Sequence, residues 1–162
     1  MYIGLMRHGK AEPFVTSQDD ALRQLTERGR RDVTAMAALV RRWWPAGTTQ
    51  IWTSPVLRAR QTAEIMGRQV RPEAVQQQDA LATGNLDGLY KSLARYDDKA
   101  SLLLIGHSPY LESWTEMLTG MKLDYKTGSL AFFSYDAYDG AYGKAKLLLY
   151  IHPAAAQMLL RQ

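Results

Sequence analysis

The stretch SLLLIGHSP, residues 101–109, sets four consecutive aliphatic residues between a serine and a glycine, then turns at once to histidine, serine and proline. A short apolar run bounded by turn residues reads as a strand buried on both faces. Such strands belong to parallel sheets covered by helices on each side. His107 then stands at the carboxyl end of the strand, where open α/β sheets hold their ligands.

Two further runs have the same character. YIGLM (2–6) is a buried strand that ends in Arg7-His8-Gly9, and QIWTS (50–54) is another that ends in Ser54-Pro55. Serine is a good helix N-cap and proline suits the first helical position, so a helix is expected to follow to about Met66. Ser108-Pro109 predicts a second helix start of the same kind.

Loop residues fill 12–20. From Thr26 the spacing turns helical, with Val33, Met36, Ala37, Val40, Trp43 and Trp44 three and four apart until Pro45 and Gly47 stop the run. A variable stretch covers 70–84, a helix is expected from Leu86 to Tyr96, and SLAFFSY (129–135) and AKLLLYIH (145–152) read as strands on either side of the turn-rich DAYDGAYG. A short C-terminal helix closes the chain. Strands alternating with helices predict an α/β fold: a three-layer sandwich with a mostly parallel central sheet flanked by helices.

Composition bounds the function. A chain of 162 residues, 46% apolar and 22% charged, suits one globular domain over 1–162. The absence of cysteine excludes thiolate nucleophiles, disulfides and cysteine-held zinc. The net charge of +4 invites a nucleic-acid partner, but the basic residues are spread: Arg28, Arg30 and Arg31 begin one helix, and Arg41 and Arg42 end it. With no aromatic RNA-binding motif or dense basic block, no nucleic-acid partner is expected. No charged leader with a long apolar core is present, nor any apolar stretch near the ~20 residues a bilayer requires, so no membrane association and a cytoplasmic location are expected.

Chemistry concentrates at the strand ends. Two of the three histidines, His8 and His107, stand at strand-to-loop transitions, whereas His152 sits at the end of a strand before Pro153 and reads as structural. If the three strands are neighbours, His8, His107, Arg7 and Arg58 converge on one small volume. Guanidinium groups match phosphate oxygens bidentately, and neighbouring positive charge keeps an imidazole neutral. A neutral imidazole beside a bound phosphoryl group is a nucleophile. On this reading His8 attacks, while Arg7, Arg58 and His107 stabilise the phosphoryl oxygens. Gly9 would let the backbone approach substrate, and Ser108 would join the binding pocket. Arg60 lies about 200° round the helix from Arg58 and reads as a surface charge. Arginines supply the charge, so neither metal nor cofactor is expected.

LMRHGKA (5–11), WTSPVLRARQTAEIM (52–66) and LLLIGHSPYLE (102–112), with the helix start LTERGRRDV (25–33), resemble the signature segments of the histidine phosphatase superfamily, which has the phosphoglycerate mutase-like fold. The resemblance implies that His8 is the phosphorylated nucleophile and that Arg7, Arg58 and His107 form its phosphate pocket. The short chain, RHGKAE and the late KTGSLAFFSYD (126–136) are most similar to the SixA group. That likeness implies action on protein phosphohistidine, with a histidine-containing phosphotransfer domain as partner and inorganic phosphate as product.

One departure bears on substrate. Mutase-type members carry L-x-E where this chain has Leu81-Ala82-Thr83, and threonine is no general acid. Asp79 and Asp87 lie near in sequence, and Glu12 or Asp87 could swing in. A sugar or glycerate alkoxide leaves poorly without a proton donor. Phosphohistidine can carry a proton on its other ring nitrogen and leave as neutral imidazole. Hydrolysis of a small phosphate ester is the alternative reading, and a phosphate- or phosphoprotein-binding module without turnover is the rival from another class.

Overall fold

The computed structural model describes residues 1–93, 100–136 and 143–161. Six strands form one sheet: β1 (Tyr2–Arg7), β2 (Thr49–Thr53), β3 (Ala74–Gln77), β4 (Ser101–Gly106), β5 (Leu130–Ser134) and β6 (Lys146–Ile151), in the order β3-β2-β4-β1-β5-β6. The first four in that order are parallel, and β5 runs against both its neighbours. The sheet is mixed but mostly parallel, and flanking helices make it the expected three-layer sandwich.

β4 is central, and all six of its residues are buried. Successive strand side chains point to opposite faces. Leu102 and Leu104 therefore join Ile3, Leu5, Trp52 and Phe133 in one core, while Leu103 and Ile105 join Met6, Ile51 and Leu130 in the other. The first core is closed by α3 (Ala80–Thr83), α4 (Leu86–Leu93) and α5 (Tyr110–Thr119), through Leu81, Leu89 and Trp114. The second is closed by α1 (Glu27–Val40), α2 (Leu57–Val70) and α6 (Pro153–Leu159), through Met36, Met66 and Ala156. The unbroken aliphatic run of β4 follows from having helices on both sides.

Several elements differ from the reading of the sequence. α1 starts as expected, with Thr26 accepting from Gly29 N, but ends at Val40 rather than at Pro45. Trp43 and Trp44 instead pack round Phe132, at ring-centroid separations of 4.9 and 5.4 Å. The variable stretch contains β3, a short edge strand on which Val75 is exposed. His152 lies just past β6 and caps α6, its Nδ1 accepting from Ala154 N. The end of the expected 86–96 helix and the centre of DAYDGAYG fall outside the described residues.

Neither serine-proline pair caps its helix through the serine. The N-cap of α2 is Val56, and Ser54 remains in line with the sheet, its N–H donating to Ile105 O at 3.0 Å. The N-cap of α5 is Pro109, and the Ser108 hydroxyl donates to Glu112 Oε1. The Ser54 hydroxyl lies against the His107 ring and only at 3.5 Å accepts from Val56 N, the N–H of the N-cap itself.

Candidate active site

The strand order β2-β4-β1 places the three strand ends side by side. Arg7 is in register with Gly106, and Thr53 with Ile105, so His8, His107 and Ser54 emerge together at the carboxyl edge. Arg58, in the first turn of α2, reaches the same place. Arg7, His8, Arg58, His107 and Ser108 all line a cavity of about 560 Å³. The two imidazole rings are tilted, with centroids 5.0 Å apart.

Hydrogen bonds define the state of His8. Its Nδ1 lies 2.7 Å from Gly9 O. A carbonyl only accepts, so Nδ1 carries the proton and donates. Arg58 Nε lies 3.3 Å from Nε2 of the same ring. Guanidinium only donates, so Nε2 must offer a lone pair. Both contacts require the same neutral tautomer, with its free electron pair facing the cavity arginine. The main chain of His8 is fixed as well: its N–H donates to Gly106 O at 3.1 Å, and its carbonyl accepts from Gly128 N at 2.9 Å.

Electrostatics keep both rings neutral. Burial is the main cause that lowers His8 to about 3, with positive charge from Arg58 and Arg7 adding to it and the bond to Gly9 opposing it. His107 is lowered to about 4, again chiefly by burial and then by Arg58 and Arg7. The expected influence of the arginines is present, but desolvation exceeds it. His107 Nε2 is held 2.8 Å from Ser54 Oγ, which gives the serine its role at this strand end.

The arginines are anchored by groups that sequence reading does not reveal. Arg7 Nη1 donates to Tyr125 O at 2.6 Å. Arg58 donates from Nη1 to the Asp20 main-chain oxygen at 2.7 Å and from Nη2 to Asp20 Oδ2 at 2.9 Å. Asp20 belongs to a short 3-10 turn, Asp20–Leu22, within the stretch expected to be loop. It also accepts from Arg23 Nε at 2.7 Å. Burial alone would raise its carboxyl, but Arg23 and Arg58 hold it below the usual carboxylate range. Its only sequence signal is an acidic residue in a long loop, which carries no positional information.

Gly9 packs against α1: a Cβ there would meet Val33 Cγ2 at 2.7 Å and Gly29 O at 3.1 Å, so the missing side chain makes room for that helix. Its N–H donates to Thr62 Oγ1 at 3.1 Å, which ties the loop to α2. Thr83 is exposed, its hydroxyl donating to Asp79 O at 3.1 Å, and it does not line the cavity. Glu12, Asp79 and Asp87 do not line it either, and Asp20 is the one carboxylate among the described lining residues. Arg60 is exposed, as expected.

The model of the histidine phosphatase superfamily (branch 1) matches residues 3–124 of this geometry's sequence. The chain belongs to that superfamily. An uncharacterized protein of Picosynechococcus sp. is 32% identical over 139 residues, covering 80% of this chain and 82% of that one. The fold is also that of the protein histidine phosphatase SixA solved with tungstate, with a TM-score of 0.80, 24% identity, and 95% and 98% of the two chains covered. A Nakamurella multipartitia chain provisionally named phosphohistidine phosphatase SixA superposes with a TM-score of 0.77 at 26% identity, over 95% of this chain and 96% of that one. Among the described residues, no helix is long and apolar enough to cross a membrane.

Proposed function

We propose that this member of the superfamily is a phosphatase that takes a phosphoryl group onto His8 Nε2 from a protein phosphohistidine, in the manner of SixA. The observation that carries the reading is the tautomer of His8. Its Nδ1 proton is committed to Gly9 O and its unprotonated Nε2 is directed at Arg58 Nε, beside the cavity that both residues line. A nucleophile held in one protonation state, beside two guanidiniums, suits phosphoryl transfer.

In the first step the Nε2–phosphorus bond forms as the phosphorus–nitrogen bond of the substrate breaks. The substrate imidazole, already protonated on its other nitrogen, leaves neutral. In the second step a water oxygen attacks phosphorus, the Nε2–phosphorus bond breaks, and the water proton passes to the phosphate or to solvent. Arg7, Arg58 and His107 surround the phosphoryl oxygens throughout, with Ser108 at the rim. In this scheme Arg7 and Arg58, both lining the cavity, supply the positive charge that the phosphoryl group needs.

Among the described residues the cavity lining offers no carboxyl group free to donate a proton, which supports a phosphorus–nitrogen substrate over an ester. The Thr83 hydroxyl is turned to Asp79 O, and Asp20 is held ionised between two arginines. An ester alkoxide would leave without a proton donor, which imidazole does not need.

A substrate panel tests the proposal: a phosphohistidine peptide against simple phosphate esters, at one pH, with wild type and His8→Ala. Turnover of the peptide should exceed that of the esters, and the variant should be inactive. A trapped label on wild type should be lost in acid and retained in alkali. Faster ester turnover would reassign the substrate, turnover by His8→Ala would sink the mechanism, and phosphate binding without turnover of any substrate would leave a binding module.

A further inference from the structure

The catalytic cavity opens beside a second hollow of about 460 Å³, and the two share Arg7, Lys10 and Thr127 as common lining. Lys10 follows β1, Arg28 and Arg31 lie on α1, and Lys126 lies in the loop before β5, yet all four line this second hollow with Arg7. Basic residues that look scattered in sequence are therefore gathered in space. Five cationic side chains and one carboxylate, Asp32, line it, an excess of four that equals the formal net charge of the whole chain.

The arrangement differs from the phosphate site. There the side chain of Arg58 is only 9% exposed and is held by Asp20. Here the side chains of Arg28 and Lys126 are 70% and 60% exposed. Arg28 lies 3.7 Å from Asp32, and Lys126 pairs with Asp124, which is outside the hollow. Lys10 and Arg31 form no ion pair among the described residues. Asp32 itself is buried, accepting from Gln157 Nε2 at 2.5 Å. A buried carboxylate repels a compact phosphate seated against it, whereas long exposed cations suit carboxylates spread over a protein surface.

We propose that this basic hollow docks an acidic, Asp- or Glu-bearing segment of the phosphorylated protein substrate while its phosphohistidine occupies the His8 cavity. The proposal rests on the reading of His8 as a phosphatase nucleophile. Shared lining makes the two sites a continuous footprint, so one partner can fill both. Its contribution falls on KM and on the rate of encounter, and it is screened by salt.

The test compares two phosphohistidine peptides that differ only in four flanking residues, glutamate or glutamine, with phosphoramidate as a small third substrate. For wild type the acidic peptide should show a KM about five- to tenfold below that of the neutral one, and the gap should close in high salt, as several exposed pairs acting together predict. In the Arg31→Glu, Lys126→Gln double variant the gap should disappear, while phosphoramidate turnover reports that the protein is folded. Equal KM values in wild type, or a gap that survives in the folded double variant, would overturn docking. If phosphoramidate is hydrolysed and neither peptide is, the protein-substrate reading fails by itself. The unphosphorylated acidic peptide then decides the hollow: inhibition of phosphoramidate turnover that the double variant relieves upholds it, and no inhibition overturns it. A small bisphosphate that senses the double variant while the acidic peptide does not would also overturn it.

Discussion

Asp20 grips Arg58 twice, accepting Nη1 on its main-chain oxygen at 2.7 Å and Nη2 on Oδ2 at 2.9 Å, while Nε of the same guanidinium reaches His8 at 3.3 Å. One carboxylate thus orients the arginine and also places a negative charge in the lining of the cavity proposed to hold phosphate. The two effects separate by substitution. Asp20→Asn keeps an oxygen for Nη2 and removes the charge, so inhibition by tungstate or inorganic phosphate should tighten by about three- to tenfold, the range of one partly exposed charge. Asp20→Ala also loses the orientation and should lower kcat. Inhibition constants and kcat for the two variants, measured side by side, check the division.

Glycine substitutions in α1 and α2 should have opposite signs. Helix propensity alone makes Gly→Ala stabilising by about 0.5–1 kcal/mol in a helix interior. At Gly67 an added Cβ would find its nearest neighbours at 3.7 and 3.8 Å, ordinary contact, so Gly67→Ala should gain about that amount. At Gly29 the Cβ would lie 2.1 Å from Lys10 O and 2.9 Å from Lys10 N, which are backbone atoms. Gly29→Ala should therefore cost about 3 kcal/mol through overpacking. Denaturant unfolding of the two variants gives the comparison directly.

These two glycines also show what a sequence can and cannot convey. The buried strands were legible because burial on both faces of a parallel sheet leaves an unbroken aliphatic run, as in Leu102 to Ile105. The cluster at the carboxyl edge is legible because a histidine or arginine at the end of such a run, as Arg7, His8 and His107 are, lies at the ligand-binding edge of the sheet. β3 was not, since a short edge strand with alternate exposed residues needs no apolar run. Ser54 and Ser108 read as caps from the residue that follows each, but a distant residue, His107, engages the Ser54 hydroxyl, and the side chain of Glu112, one helical turn on, takes that of Ser108. Asp20 was illegible for a similar reason. Its place is set by a fold-back of the chain over α2, and nothing local to residues 12–20 encodes that contact.

The depressed histidines make stability depend on pH in a definite window. Unfolded imidazoles titrate near 6.5, whereas in the folded protein His8 lies at about 3 and His107 at about 4. As pH falls from 6.5 toward 4, the unfolded chain takes up protons that the folded protein does not. Stability should then drop by about 1.4 kcal/mol per histidine for each pH unit. Above 6.5 both states are neutral at these positions and neither contributes. Thermal unfolding followed by circular dichroism should show a flat Tm from pH 7 to 8 and a decline below 6.5. The decline should be shallower in a His8→Asn, His107→Asn double variant, and an unchanged slope would refute the displaced titrations.

Glu112 joins two edges of the site and should act as a positioning residue. Its Oε1 accepts from the Ser108 hydroxyl and, at 3.3 Å, from Tyr125 N, and the carbonyl of the same Tyr125 holds Arg7. Its Oε2 is buried without a hydrogen-bond partner. Glu112→Ala frees the His107 loop and the segment that anchors Arg7 together, and strands two partly buried donors, at about 1 kcal/mol in stability. It should also reduce kcat/KM about tenfold through kcat, since a misplaced guanidinium is felt most in the transition state. Glu112→Gln retains an acceptor at the Oε1 position, so kcat should recover to near wild type even though the charge is gone. Rescue by glutamine and not by alanine identifies geometry as the function of Glu112; equal loss in both variants would assign the effect to its charge instead.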